Sequence, residues 1–226
     1  MAACGIDVGS LSAGSLSYVA WLDDGEFLLD VFVPSSAEPL PRPPARLWGS
    51  HDALDAPQGL AAVGERRRQA DREARTPTSV LPPTRAGLAT SKLYRAFIEA
   101  GIEIFWSLHE SGEAAIVGLD GPARENVVME TYPRYVIKRL WPELTIPSKR
   151  KTPRDYIDAV WPRIRGSGLS CGSVIRPNVD QVDAMLCALA ADAYDRAGGL
   201  PSGAVGLPPS VDATERVIRE GFIVAP

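Results

Sequence analysis

The sequence predicts an α/β fold: a mixed sheet that starts as an antiparallel three-stranded meander, continues with parallel strands and carries helices on both faces. Three observations predict it. Short β-rich runs near the N-terminus are joined by an Asp-Gly turn, later isolated apolar runs each end at an acid, and a long helical stripe precedes the last apolar run. With 226 residues, 45% hydrophobic and 23% charged, the chain has an ordinary globular balance and enough apolar material for one substantial core. One domain over 1–226 is expected, with Pro-rich loops at 34–49 and 76–91.

The first run, Cys4-Gly5-Ile6-Asp7-Val8-Gly9-Ser10, is an apolar strand that carries one carboxylate and breaks at glycine. An ionised acid in a core strand is costly to bury unless it is paired or binds a cation. Tyr18 to Leu22 and Phe27 to Val33 flank Asp23-Asp24-Gly25-Glu26, the pattern of a hairpin. Proline then punctuates the chain from Pro34 to Pro44. Ala53-Leu54-Asp55-Ala56-Pro57 is a short apolar approach to an acid, stopped by proline, so Asp55 resembles Asp7 in placement. Gly64 to Arg75 is expected as a charged, solvated helix laced by pairs three and four apart.

A helix opening at Thr90 and ended by Gly101 follows. Ile102 to Trp106 and Ala114 to Val117 are then expected as short strands or a hairpin, and Asp120 as a turn residue. Asn126 to Pro133 is a buried-type strand that carries Glu130, and Tyr135 to Trp141 a short helix. Thr152 and Pro153 suit the cap and first position of a helix running to about Arg165. Asn178 caps the most regular helix, with Gln181 placed for the reciprocal capping bond and Val182, Met185, Leu186 and Leu189 forming its apolar stripe. Asp180 and Asp183 lie three apart on its first turns; the helix dipole suffices to explain Asp180, but Asp183 borders the stripe and is less well explained. Gly221 to Val224 is a last short strand or extended edge after a Gly/Pro-rich loop.

A net charge of −4 excludes a large positive field for holding polyanions, so any nucleic-acid contact must be local or metal-bridged. Cys4, Cys171 and Cys187 have no zinc-site spacing and are odd in number, which fits reduced thiols. No signal core and no long apolar run stand in the sequence, so a soluble, cytoplasmic protein without membrane contact is expected. His51 and His109 are expected as loop residues, with His51 a candidate general base near Asp55. Oligomeric state is not encoded in any motif.

Asp7, Asp55, Glu130 and Asp183 are the candidate catalytic residues, and together with Asp180 the candidate metal ligands. Acids without His or Cys prefer hard cations such as magnesium or manganese, and such ions serve phosphodiester cleavage. Arg68, Arg75, Lys149 and Arg150 are the candidate substrate contacts. An acid-bearing meander, acids at later strand ends and then an acidic helix is the order of the RNase H-like fold.

The chain resembles the "domain of unknown function 429" family, predicted nucleases of RNase H-like fold. The resemblance rests on Gly5-Ile6-Asp7, Leu54 to Leu60, the helix with Arg68, Asp71 and Arg75, Ser79 to Pro83, Glu130-Thr131-Tyr132-Pro133, Ser148-Lys149, Asp180 to Ala184 and Gly221 to Pro226. It implies a metal-dependent nuclease acting on nucleic acid, with Asp7 bridging two ions, Asp55 and Glu130 on one, and Asp183 on the other or orienting water. Phe222 stands where a tryptophan is common in that family, and Gln181 where a second acid often follows Asp180.

Two other classes compete. Gly5 to Ser10 also resembles the first phosphate loop of actin-like ATPase-superfamily phosphotransferases, which need two such domains and a second glycine-rich loop. A non-catalytic nucleic-acid or protein binding module, its acids structural, fits the acidic charge.

Overall fold

Strand β1 (Ala3–Asp7) is the axis about which the other strands are ordered. The computed structural model describes residues 2–9, 15–33, 51–77, 84–88, 94–119, 126–172 and 174–226. On one side, β1 pairs antiparallel with β2 (Ser17–Asp23), and β2 with β3 (Glu26–Phe32). Asp24 and Gly25 both take positive φ, 46° and 77°, the mirror-image turn that suits a tight hairpin. The expected meander is therefore present.

On its other side β1 runs parallel to β4 (His51–Asp55), and β4 parallel to β6 (Val127–Thr131). The short β5 (Ala115–Ile116) pairs parallel with the first half of β6, and β8 (Val217–Val224) with its second half. Antiparallel β7 (Val205–Asp212) completes a sheet ordered β3-β2-β1-β4-β6-β8-β7. This mixed α/β sheet is consistent with the RNase H-like fold.

Side-chain alternation assigns the two faces. Cys4, Ile6, Leu54 and Val128 pack with Ile104, Phe105 and Leu108 of helix α3 (Arg95–Ser111). Ala3, Ala53 and Met129 face the opposite way, into a core shared with helices α4 (Pro133–Leu140), α5 (Pro153–Gly166) and α6 (Val179–Ala197). Gly5 lies on that second face, where a Cβ would stand 2.0 Å from the Ala184 carbonyl oxygen and 2.1 Å from the Ala188 nitrogen. The backbone of α6 thus rests directly on β1. Asp7, two residues beyond Gly5, points the same way.

Several elements differ from expectation, each for a physical reason. Ile102 to Trp106 is helical, inside α3, because Ile98, Ile102, Phe105 and Leu108 recur at helical spacing and bury one stripe. Gly101 does not stop that helix; a Cβ there would meet the Pro57 carbonyl oxygen at 2.5 Å, so the glycine permits close packing. The charged segment is helical only in α1 (Gln69–Ala74), and Arg68 and Asp71 are fully buried rather than solvated. A helical turn, α2 (Arg85–Leu88), interrupts the second expected loop, while 34–49 and Asp120 lie outside the described residues.

The expected Gly/Pro-rich loop contains β7, whose Pro208 and Pro209 sit at a register shift on the edge strand, where missing donors cost least. β8 is longer than expected and interior. His51 belongs to β4 and is buried, and His109 lies in α3. The cysteines are free buried thiols, and among the described residues no helix is long and apolar enough to cross a membrane.

Candidate metal centre

Parallel register brings the first two acids together: Asp7 pairs with Asp55 across β1 and β4, and both point at α6. The next residue in that row is Thr131 of β6, whose hydroxyl donates to the Val224 carbonyl oxygen at 2.7 Å. Glu130 pairs with Leu54 and therefore faces the other side of the sheet. The third carboxylate comes instead from α6. Gly5 lets that helix approach, and Asp183, one position before Ala184, arrives above the strand ends. Asp7, Asp55 and Asp183 each offer an oxygen within 4.8 Å of the other two.

The α6 N-terminus is fixed by its capping box. Asn178 accepts from the Gln181 N–H at 2.8 Å, and the Gln181 side chain accepts from the Asn178 N–H at 2.9 Å. Gln181 is thereby spent on the cap. Asp180, half-buried on the first turn, stands near Asp7, and its charge adds to the rise of the Asp7 carboxyl. Asp183 is fully buried, and both its oxygens are engaged: Oδ1 accepts from the Tyr156 hydroxyl of α5 at 2.5 Å, and Oδ2 from Lys149 Nζ at 2.5 Å. Lys149 Nζ also stands 4.0 Å from Asp55 Oδ2.

The electrostatics show too little positive charge for these acids. Burial, then the charges of Asp183 and Asp55, pushes the Asp7 carboxyl well above the ordinary carboxylate range. Burial lifts Asp55 to about 7 against the pull of Lys149, with Asp183 and Glu130 adding to the rise. Desolvation works against the charge on Lys149, but Asp183, Asp55 and Asp7 outweigh it and hold the ammonium above its usual range. Burial and Asp183 keep the Tyr156 phenol neutral, and burial with Asp55 and Asp7 keeps the thiol of Cys187 protonated beneath the site. A cavity of about 350 Å³ opens here, lined by Asp7, Asp55, Asp180, Lys149 and the rings of Tyr18, Tyr94, Phe97 and Tyr132.

Glu130 also lines the cavity, yet it is bound on its own side of the sheet. Arg68 donates to both of its oxygens at 2.6 Å, and the Gln58 N–H donates to Oε2 at 2.7 Å. The same guanidinium reaches Asp71 at 2.7 and 3.1 Å, and Asp71 accepts from the Thr76 hydroxyl at 2.7 Å. Arg68 has no exposed surface. Of the other candidate substrate contacts, Arg75 and Arg150 are exposed, and Lys149 is turned onto the carboxylates. His51, four residues back along β4 from Asp55, lies about 13 Å away by strand rise and meets Tyr194 and Asp195 instead. Only the fold brings the Tyr156 hydroxyl onto Asp183 and Thr131 into the row beside Asp55. Nothing in the spacing of 156 and 183 signals their contact.

An oxygen-only donor set, pinned by a neutral phenol and short of positive charge, has the chemistry that suits magnesium or manganese. Lys149 Nζ already stands among these oxygens as a cation. Sheet order, two carboxylates at adjacent parallel strand ends and a third on the helix above them define a mixed α/β protein with a three-carboxylate centre able to bind a metal. The chain belongs to the family described as protein of unknown function (DUF429), whose model matches residues 5–204, a span that includes every residue of this centre. No curated protein and no solved structure matches the chain.

Proposed function

We propose that this protein is a divalent-metal-dependent phosphodiester hydrolase acting on nucleic acid. The observation that carries the reading is the convergence of Asp7, Asp55 and Asp183 within 4.8 Å, with Asp7 and Asp55 lining an open cavity. These three carboxylates would hold magnesium or manganese, with Asp180 beside Asp7 as an accessory. A bound ion of this kind supplies charge stabilisation at the phosphoryl group and a water acidic enough to attack at neutral pH. The chain's own residues orient the acids: Tyr156 fixes the Asp183 carboxylate, and the α6–β1 contact at Gly5 sets its height above Asp7. Glu130 and Arg68 act in this reading as a buried brace behind the site. Exposed Arg75 and Arg150 remain available to substrate phosphates.

The test is cleavage of labelled single- and double-stranded DNA and RNA by purified protein in manganese, magnesium or EDTA, beside Asp7→Asn and Asp183→Asn. Cutting that needs metal and is lost in both variants supports the reading. A second reading, a binding module whose acids are structural, is favoured by the Lys149 ammonium already on Asp183. It predicts that wild type and both variants are equally inert and that calorimetry detects no manganese binding.

A further inference from the structure

Lys149 is the cation that the structure places among the three acids, and its surroundings separate a fixed backbone from a free side chain. On the upstream side, Arg134 of α4 donates to the carbonyl oxygens of Ile146 and Pro147 at 2.9 and 3.2 Å. On the downstream side, the Ser148 carbonyl oxygen accepts from the N–H groups of Lys151 and Thr152 at 3.1 and 2.8 Å. The turn that carries Lys149 is thus tied upstream to α4 and closed downstream onto Thr152, the N-cap of α5. Its side chain is 48% exposed, with solvent beside it, whereas the Asp183 side chain it contacts has no exposure.

Each oxygen of Asp183 already has one partner. Oδ1 is held by Tyr156, which is buried and cannot leave without disrupting α5, and Oδ2 is held by Lys149, which can swing outward on a fixed turn. Of these two partners only Lys149 lines the cavity, so a cation arriving there meets its ammonium before Asp183 Oδ2. Resting on the metal reading above, we propose that Lys149 is a tethered counter-ion that competes with the divalent cation for Asp183, so that loading the three-carboxylate centre expels its ammonium from the site into the cavity mouth. The exchange conserves the proton on Lys149: one intramolecular cation leaves as one divalent cation enters. In the empty protein Lys149 keeps the acids from repelling one another, and in the loaded protein it becomes a free positive charge at the rim.

A merely structural ion pair does not behave this way, because losing it lowers stability with and without metal. Calorimetric titration with Mn²⁺ of wild type, Lys149→Met and Lys151→Met separates the two cases. Even in water, the attraction between an ammonium and a carboxylate about 3 Å apart, which loading must give up, is worth about tenfold. Lys149→Met is therefore expected to bind Mn²⁺ at least about tenfold more tightly, and Lys151→Met like wild type. Lys149→Met should also melt below wild type in EDTA and gain more in melting temperature from saturating Mn²⁺. In unaltered protein, an amine-reactive label read by mass spectrometry should modify Lys149 several-fold faster with Mn²⁺ than with EDTA. Equal or weaker Mn²⁺ binding by Lys149→Met, or unchanged labelling, would overturn the proposal and leave the metal reading standing. If neither wild type nor Lys149→Met binds Mn²⁺, the metal reading falls and the proposal with it.

Discussion

Two groups of acids occupy opposite faces of the same end of the sheet, and the chain treats them differently. On the α3 side, Glu130 and Asp71 share one fully buried arginine, and a backbone N–H and a threonine hydroxyl add to the pairing. On the α6 side, Asp7, Asp55 and Asp183 share one lysine whose side chain is 48% exposed, and Asp180 adds a further acid. The first group is closed: every nitrogen of the Arg68 guanidinium donates to a carboxylate. The second is open to a cavity and short of positive charge. The contrast teaches that burial of acids does not by itself mark a metal site; what marks it is a deficit of fixed countercharge beside an entrance.

Breaking the closed group should have the largest effect on stability. Arg68→Met leaves two buried carboxylates without a countercharge, a defect that costs about 3–5 kcal/mol, to be read by urea unfolding. Gly5→Ala strikes the contact that gives the open group its third member. Its new Cβ would overlap α6 backbone, and overpacking of this kind costs about 1–3 kcal/mol, occasionally more. Because α6 must lift from β1, the variant should also lose Mn²⁺ affinity, a loss that Arg68→Met need not share per folded molecule.

The open group can be sharpened through pH. Burial raises the Asp55 carboxyl to about 7 in the folded protein, against about 3.9 for an aspartate in an unfolded chain. The folded state therefore binds a proton that the unfolded chain has released, and the stability this group confers is full below about pH 4 and is lost as pH rises through 7. Asp55→Asn should accordingly be more stable than wild type at pH 8 in EDTA, with the advantage shrinking toward pH 5. Unfolding free energies at the two pH values check the sign. The smallest effect is expected from Asn178→Ala, which removes the capping bond and costs about 1 kcal/mol while leaving the strand-borne acids in place.

Much of the open group was legible in the sequence because its members end recognisable elements. Asp7 and Asp55 close short apolar strands, and Asp183 borders a clear helical stripe behind an Asn-Gln cap. Glu130 has the same local signature as Asp55, yet register places it on the opposite face, and strand register across β4 and β6 is set by long-range pairing that local pattern does not encode. Arg68 and Asp71 look like a solvated helix start; only the fold shows the buried Glu130 that draws them in. The helical identity of Ile102 to Trp106 was obscured by β-branched and aromatic residues, which tertiary packing overrode. The edge strand β7 was hidden by its two prolines.

The most direct test of the contrast is Mn²⁺ titration calorimetry on wild type, Asp55→Asn and Glu130→Gln, each verified as folded by circular dichroism. The account predicts that wild type and Glu130→Gln bind Mn²⁺ with similar affinity and that Asp55→Asn loses binding. Retention of binding by Asp55→Asn together with its loss in Glu130→Gln would contradict it, moving the metal centre to the face assigned here to a closed ion pair.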